Sequence, residues 1–292
     1  MPPESDYADT PREQELTSQA KGDFDEQGEE QVRERTAPPA AVIYEVILRE
    51  AQDELKRPSQ ALFWSGLAAG LSLGFSFLGQ GLLKGMLPEA PWTPLLSSFG
   101  YTIGFLVVIL GRQQLFTENT LTPILPLLRE KSMPMLVSVL RLWGTILFAN
   151  LLGALLLALV LSQSELFSEM WRPEVRAALL ESGEHFLDLS FSSTFVGGIF
   201  AGWLLALMVW MLPYAEKEKV LVIVVITYLI GLGGFAHCVV GSIETMYAVL
   251  VGPATWSEYL AFFIPALVGN ILGGVIIVAV LNHAQVVSGR SG

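Results

Sequence analysis

The pattern of apolar and polar positions divides the chain near residue 60. Before residue 39 aliphatic side chains are sparse, and Asp23, Asp25, Glu26, Glu29 and Glu30 typify the stretch. Such a segment buries too little apolar surface to offset its ordering entropy, which predicts a disordered acidic tail over 1–38. After Pro38 and Pro39, the residues Ile43, Val46, Ile47, Ala51 and Leu55 recur at helical spacing, and Pro58 ends the pattern. This predicts an amphipathic helix over 40–57, either docked on the body or bound at an interface. Arg49–Asp53 and Asp53–Arg57 have the spacing of ion pairs on one helix face.

From residue 60 to 284 the pattern becomes a series of long apolar runs, near 62–86, 95–129, 135–162, 191–213, 219–251 and 258–283. One bilayer crossing takes about 20 apolar residues. The first, third, fourth and sixth runs have that length. The second and fifth are longer and carry polar breaks, GRQQLFTENT at 111–120 and GLGGFAHCVVGSIE at 231–244. Irregular backbone at membrane depth survives only where protein buries it or where it lines a wet cavity. The expected architecture is an all-α membrane protein with six transmembrane helices over 60–284, the second and fifth interrupted, and a short tail over 285–292.

The halves also resemble each other. A shift of 120 residues lays FANLLGALLLALVL (148–161) on VGNILGGVIIVAVL (268–281) and Thr117 on His237. A shift of 132 lays Gly66 and Gly70 on Gly198 and Gly202, small-residue patterns that let helices approach closely. Three crossings per half is an odd number, so the repeats are expected to be inverted, with the solute path at their broken helices.

Composition sharpens this picture. The 292 residues are 52% hydrophobic and 15% charged, greasier and poorer in charge than a soluble domain. The net charge of −11 is mostly a tail effect, because residues 1–60 hold 15 acids against 7 bases. An acidic chain lacks the cations that nucleic-acid phosphates need. One cysteine excludes a disulfide scaffold and a multi-Cys metal site. No phosphate loop, dinucleotide fingerprint or metalloprotease motif is present, so no enzyme activity, cofactor or metal is expected. Basic residues in the expected loops put both termini in the cytoplasm: Arg49, Lys56, Arg57, Arg129, Lys131, Lys217, Lys219 and Arg290 on one side, Lys84, Arg172 and Arg176 on the other.

The candidate chemistry lies in and beside the breaks. His237 is an intramembrane ionisable residue and so a functional candidate. Thr117 offers a hydroxyl that donates and accepts. Asn150 and Asn270 either glue helices together, face the pore, or pin the broken backbone. Half-helices starting near Asn119 and Val240 would turn positive dipole ends toward an anion. Arg141 either snorkels to the interface or gives the cavity a positive charge. Leu115, Phe116, Ile230 and Phe235 are candidates for apolar constrictions, or for plain packing.

Taken together, LFTENT (115–120), the His237 break, ANLLGA (149–154) and GNILGG (269–274) resemble the formate/nitrite transporter family, and most of all its YfdC-type branch. The resemblance covers roughly residues 60–283. It implies an aquaporin-like fold and a homopentamer with one pore per protomer in a bacterial inner membrane. It also implies passage of small monovalent weak-acid anions such as formate or nitrite, proton-linked through the central His in one form of the mechanism. By the same resemblance Leu115, Phe116, Thr117 and His237 line the path, and Arg141 stands where the family has a Lys. The chain departs from the family at Gln114 and Ala236, where typical members carry acids. In the expected mechanism a positive vestibule draws the anion in, apolar rings strip its water, and Thr117 and His237 handle it. Two rival readings are a neutral-solute channel and a membrane adaptor with a degenerate pore, whose acidic tail binds a cytoplasmic partner. The channel reading lacks the Asn-Pro-Ala motifs of aquaporins.

Overall fold

A computed structural model of the protein describes residues 39–163, 173–215 and 217–288. The expected acidic tail, its partner and the chain end after 288 lie outside these residues. All regular structure among the described residues is helical. Helix α1 (Ala40–Lys56) leads into the body, made of α2 (Ser59–Met86), α3 (Thr93–Leu110), α4 (Ile124–Glu130), α5 (Met133–Ser162), α6 (Pro173–Leu187), α7 (Phe191–Met211), α8 (Lys219–Leu232), α9 (Val240–Val251) and α10 (Trp256–Leu272). A π-helical stretch (Gly273–Val280) and α11 (Leu281–Ser288) follow.

Helices α2, α3, α5 and α7, and the rod from Trp256 to Gln285, are each long and apolar enough to cross a membrane. The fifth apolar run is shared between α8 and α9, of 14 and 12 residues. The second run differs from the sequence expectation. Its helix α3 spans 18 residues and suffices alone, and the break follows it and leads into α4, only seven residues long. Helix α6 was not expected, because its apolar stripe of Val175, Ala178 and Leu179 is short and set among charges.

Helix α1 buries Tyr44, Ile47, Leu48, Ala51 and Leu55, one stripe at helical spacing. Its ion pairs are not the expected ones. Arg49 bonds back to Glu45 at 3.1 Å, Lys56 to Asp53 at 3.0 Å, and Arg57 to Glu54 at 2.9 Å. An acid placed N-terminal to its base is the better orientation on a helix, and each of these pairs has it.

The body packs α2 on α5 and α7 on α10 at close range. A Cβ at Gly70 would overlap the Asn150 backbone, and one at Gly202 would overlap the Asn270 backbone. Contact this close needs glycine on one face and needs it twice, at matching places in the two halves.

Candidate functional site

Both breaks begin with the same device. At the end of α3, Arg112 N–H donates to Ile109 O at 3.1 Å and Gln113 N–H to Val108 O at 2.9 Å. At the end of α8, Gly234 N–H donates to Gly231 O at 3.3 Å and Phe235 N–H to Ile230 O at 3.1 Å. Arg112 (φ 50°) and Gly234 (φ 60°) take the left-handed conformation between these bonds. This is the Schellman termination, which satisfies the last helical carbonyls and turns the chain out of the helix axis. At the second break the two residues that share the longer bond, Ile230 and Phe235, are both apolar, as this motif usually has them.

Asn150 and Asn270 then hold the extended segments that follow. Asn150 Oδ1 accepts from Phe116 N–H at 2.8 Å, and its amide donates to Gly66 O at 2.8 Å and Gln114 O at 2.9 Å. Asn270 Oδ1 accepts from Cys238 N–H at 2.9 Å, and its amide donates to Gly198 O and Ala236 O, both at 2.8 Å. Both amide protons of each Asn are thus committed to backbone. Of the three readings, these bonds favour pinning the broken chain, and they join helices in doing so.

These matched bonds correct the repeat register. The third helices correspond at a shift of 120 and the first at 132, but the breaks correspond at 122. Phe116 is the equivalent of Cys238, and Leu115 that of His237. Thr117 is not the repeat mate of His237. The two residues instead meet across the breaks.

Thr117 Oγ1 lies 2.8 Å from His237 Nε2, and both side chains are fully buried. The other ring nitrogen, Nδ1, accepts from Val240 N–H at 3.0 Å. An acceptor Nδ1 in a neutral imidazole puts the proton on Nε2, so His237 donates to the Thr117 hydroxyl. The hydroxyl keeps its own proton for another acceptor. Phe105 stands edge-on to the imidazole, with ring centroids 5.3 Å apart. Sequence reasoning missed the Phe105 ring, which has no motif, and turned the Val240 amide toward an anion, whereas it is spent on His237.

Leu115, Phe116 and Ile230 are also buried, with Phe116 edge-on to Trp143. Phe235 is half-buried and stacked on Phe200. Arg141 lies elsewhere. Its guanidinium donates to Leu55 O at 2.6 Å, Arg57 O at 3.0 Å and Ser59 Oγ at 3.1 Å, closing the C-terminus of α1. The half-helix ends are also largely spent. Val240 N–H serves His237, Gly241 N–H bonds His237 O at 2.8 Å, and Asn119 and Thr120 N–H bond Leu115 O and Thr117 O.

A cavity adjoins each break. One, of 560 Å³, is walled by α1, the end of α3 and the start of α8, and reaches Gln114, Glu118 and Asn119. The other, of 900 Å³, is walled by α2, α6, the start of α3 and the end of α8, and reaches Tyr101, Ile230, Phe235 and Glu244. Neither is positive, contrary to the expected vestibule. The first carries Glu50, Asp53, Glu54 and Glu118 against Arg112 and Lys219. The second carries Glu89, Glu174, Glu181 and Glu244 against Lys84. Arg141, the expected source of positive charge, lines neither, because the α1 carbonyls claim it.

Comparison with known proteins bears on the family and the fold. The chain is 41% identical over 254 residues to inner membrane protein YfdC of Escherichia coli (strain K12), covering 87% of this chain and 81% of that one. A solved FNT family ion channel superposes with a TM-score of 0.72 at 19% identity, covering 84% of this chain and 98% of that one. A pentameric formate channel with formate bound superposes with a TM-score of 0.65 at 22% identity, covering 78% and 98%. The family model described as formate/nitrite transporter matches residues 41–284, nearly the whole helical body. A channel body of apolar helices, two pinned breaks and a match of this extent identify the chain as a multi-pass membrane protein of the formate/nitrite transporter family.

Proposed function

We propose that the protein is a homopentameric inner-membrane channel or transporter that moves small monovalent weak-acid anions, formate or nitrite among them, across the bilayer as their conjugate acids. In this reading α2 to α5 and α7 to α11 are two inverted three-crossing repeats of aquaporin-like form, and each protomer has its own path. The matched Schellman ends and Asn pins support the repeats. The solved pentameric formate channel supports the assembly and the solute class.

The observation that carries the reading is the 2.8 Å contact of Thr117 with His237. It places the Thr117 O–H, and the His237 N–H that serves that hydroxyl, in a buried stretch apart from both cavities. A weak acid needs such donors for its oxygens once its water is stripped. Leu115, Phe116 and Ile230 keep that stretch dry, and the fully bonded Asn pins keep other polar groups out of it. A bare anion would pay a large desolvation cost there, and its conjugate acid would not. Acidic vestibules favour the same form, since they repel the anion and leave the neutral acid unaffected.

The Val240 N–H on Nδ1 refines the part of His237. A protonated ring would carry a hydrogen on Nδ1 and lose that bond. The ring therefore stays neutral, with its Nε2–H held by Thr117 until a solute oxygen takes it over, while the transported proton travels on the solute itself. To test this, protein in liposomes is assayed for formate and nitrite uptake at two pH values. Wild-type uptake should rise as pH falls, and His237→Ala and Thr117→Val should each cut it by about tenfold or more, the cost of one buried charged or donor contact. Undiminished flux with an unchanged pH profile in both variants sinks the role.

A further inference from the structure

The larger cavity holds a group that the Thr117–His237 pair does not use. Glu244 lies on α9, two turns beyond His237, and is 2% exposed. Its Oε2 has no hydrogen-bond partner among the described residues, yet the residue is part of the cavity wall. A buried carboxyl oxygen in that position lacks a donor, and none of the polar side chains in the wall bonds it.

The charges around it point to the donor's class. Helix α2 contributes Lys84, but Glu181 of α6 holds it at 2.9 Å. Helix α6 adds Glu174 and His185, and the α2–α3 connection adds Glu89. Helices α5 and α10, which also pack on α9, add no charged group to this wall. The field is acidic, and such a vestibule concentrates cations. Tyr101, Phe186 and Phe235 line the same space. Aromatic faces beside a carboxylate suit a soft organic or ammonium-type cation. They do not suit a hard metal ion, which takes several oxygen ligands. No group of three metal-ligating side chains exists among the described residues.

We infer that this vestibule is a binding site for a small monovalent cation bearing N–H donors, ammonium or a small primary amine, with Glu244 Oε2 as its principal acceptor. The site lies in a vestibule that the solute crosses on its way, but it does not rest on Thr117 or His237.

Methylammonium titrated into the full-length protein in nanodiscs tests it. Wild type should bind the probe saturably. Ammonium should compete, and sodium should not. Glu244→Gln, which keeps the shape of the side chain, should weaken binding by about tenfold or more. His237→Ala should bind methylammonium as wild type does. Absence of saturable binding to wild type overturns the site, as does unchanged binding by Glu244→Gln. Competition by sodium equal to that by ammonium overturns the assigned ligand class, and this arm needs no variant. Loss of the anion reading would show instead as absent wild-type formate flux beside intact methylammonium binding.

Discussion

Asn270 has three backbone partners, Cys238 N–H, Gly198 O and Ala236 O, and no other side chain could serve all three from an apolar helix. Replacing it by Leu keeps the volume and strands a buried N–H and a carbonyl of the break. Each stranded group costs about 1–3 kcal/mol, so Asn270→Leu should lower the unfolding free energy by about 2–6 kcal/mol. Asn150→Leu should do the same through Phe116 N–H and Gln114 O. Denaturant unfolding in detergent measures both, and a change near zero would mean that water or a shifted backbone replaces the pins. The two Asn residues were legible in the sequence, because an amide in an apolar helix must find partners. Their partners were not, since a backbone atom leaves no trace in composition. Arg141 is the converse case. Its charge invited a place on the path, but the carbonyls that bind it belong to α1, and only the folded chain brings that end of the helix within reach.

Among the elements, α1 and the first break are joined by one contact that explains a departure from the family pattern. Gln114 Nε2 donates to Glu54 Oε2 at 3.0 Å, while its Oε1 accepts from Asn119 at 3.1 Å. An acid at position 114 would face Glu54 and repel it, so the amide suits this particular helix. Gln114→Glu should loosen α1. Amide hydrogen exchange over residues 44–55 should quicken, less so in high salt, which screens a surface pair. Adding Glu54→Gln should restore protection. Equal exchange in wild type and Gln114→Glu would separate the contact from the docking of α1. At this scale the breaks and the close-packed helix pairs were readable from polar interruptions and glycine spacing. The register of the breaks was not. One constant shift cannot describe a repeat whose three parts are offset by 132, 122 and 120. Helix α6 stayed hidden for a different reason, because its stability comes from packing on α2 and α9 rather than from a strong stripe of its own.

On the scale of the molecule, the two ends of the body lie together. Tyr44 Oη is 2.8 Å from His283 Nδ1, which ties α1 to α11. Arg129 comes within 3.8 Å of Glu45, so the α4–α5 corner lies at that end too. Arg49, Lys56, Arg57, Arg129 and Lys131 therefore share the α1 end. The opposite end holds the acidic vestibule with Glu89, Glu174 and Glu181 around Lys84. Basic residues are retained on the cytoplasmic side, so the α1 end should be cytoplasmic and the Glu244 vestibule should open outward. Single cysteines report this cleanly, because the native Cys238 is fully buried. Glu89→Cys should react with a membrane-impermeant maleimide on intact cells, and Glu130→Cys only after lysis. The reverse pattern would turn the molecule over and put the cation site inside. The outcome also bears on transport. With the wider acidic cavity outside, an incoming weak acid meets carboxylates first, so uptake should favour the protonated solute most strongly when the external pH is low.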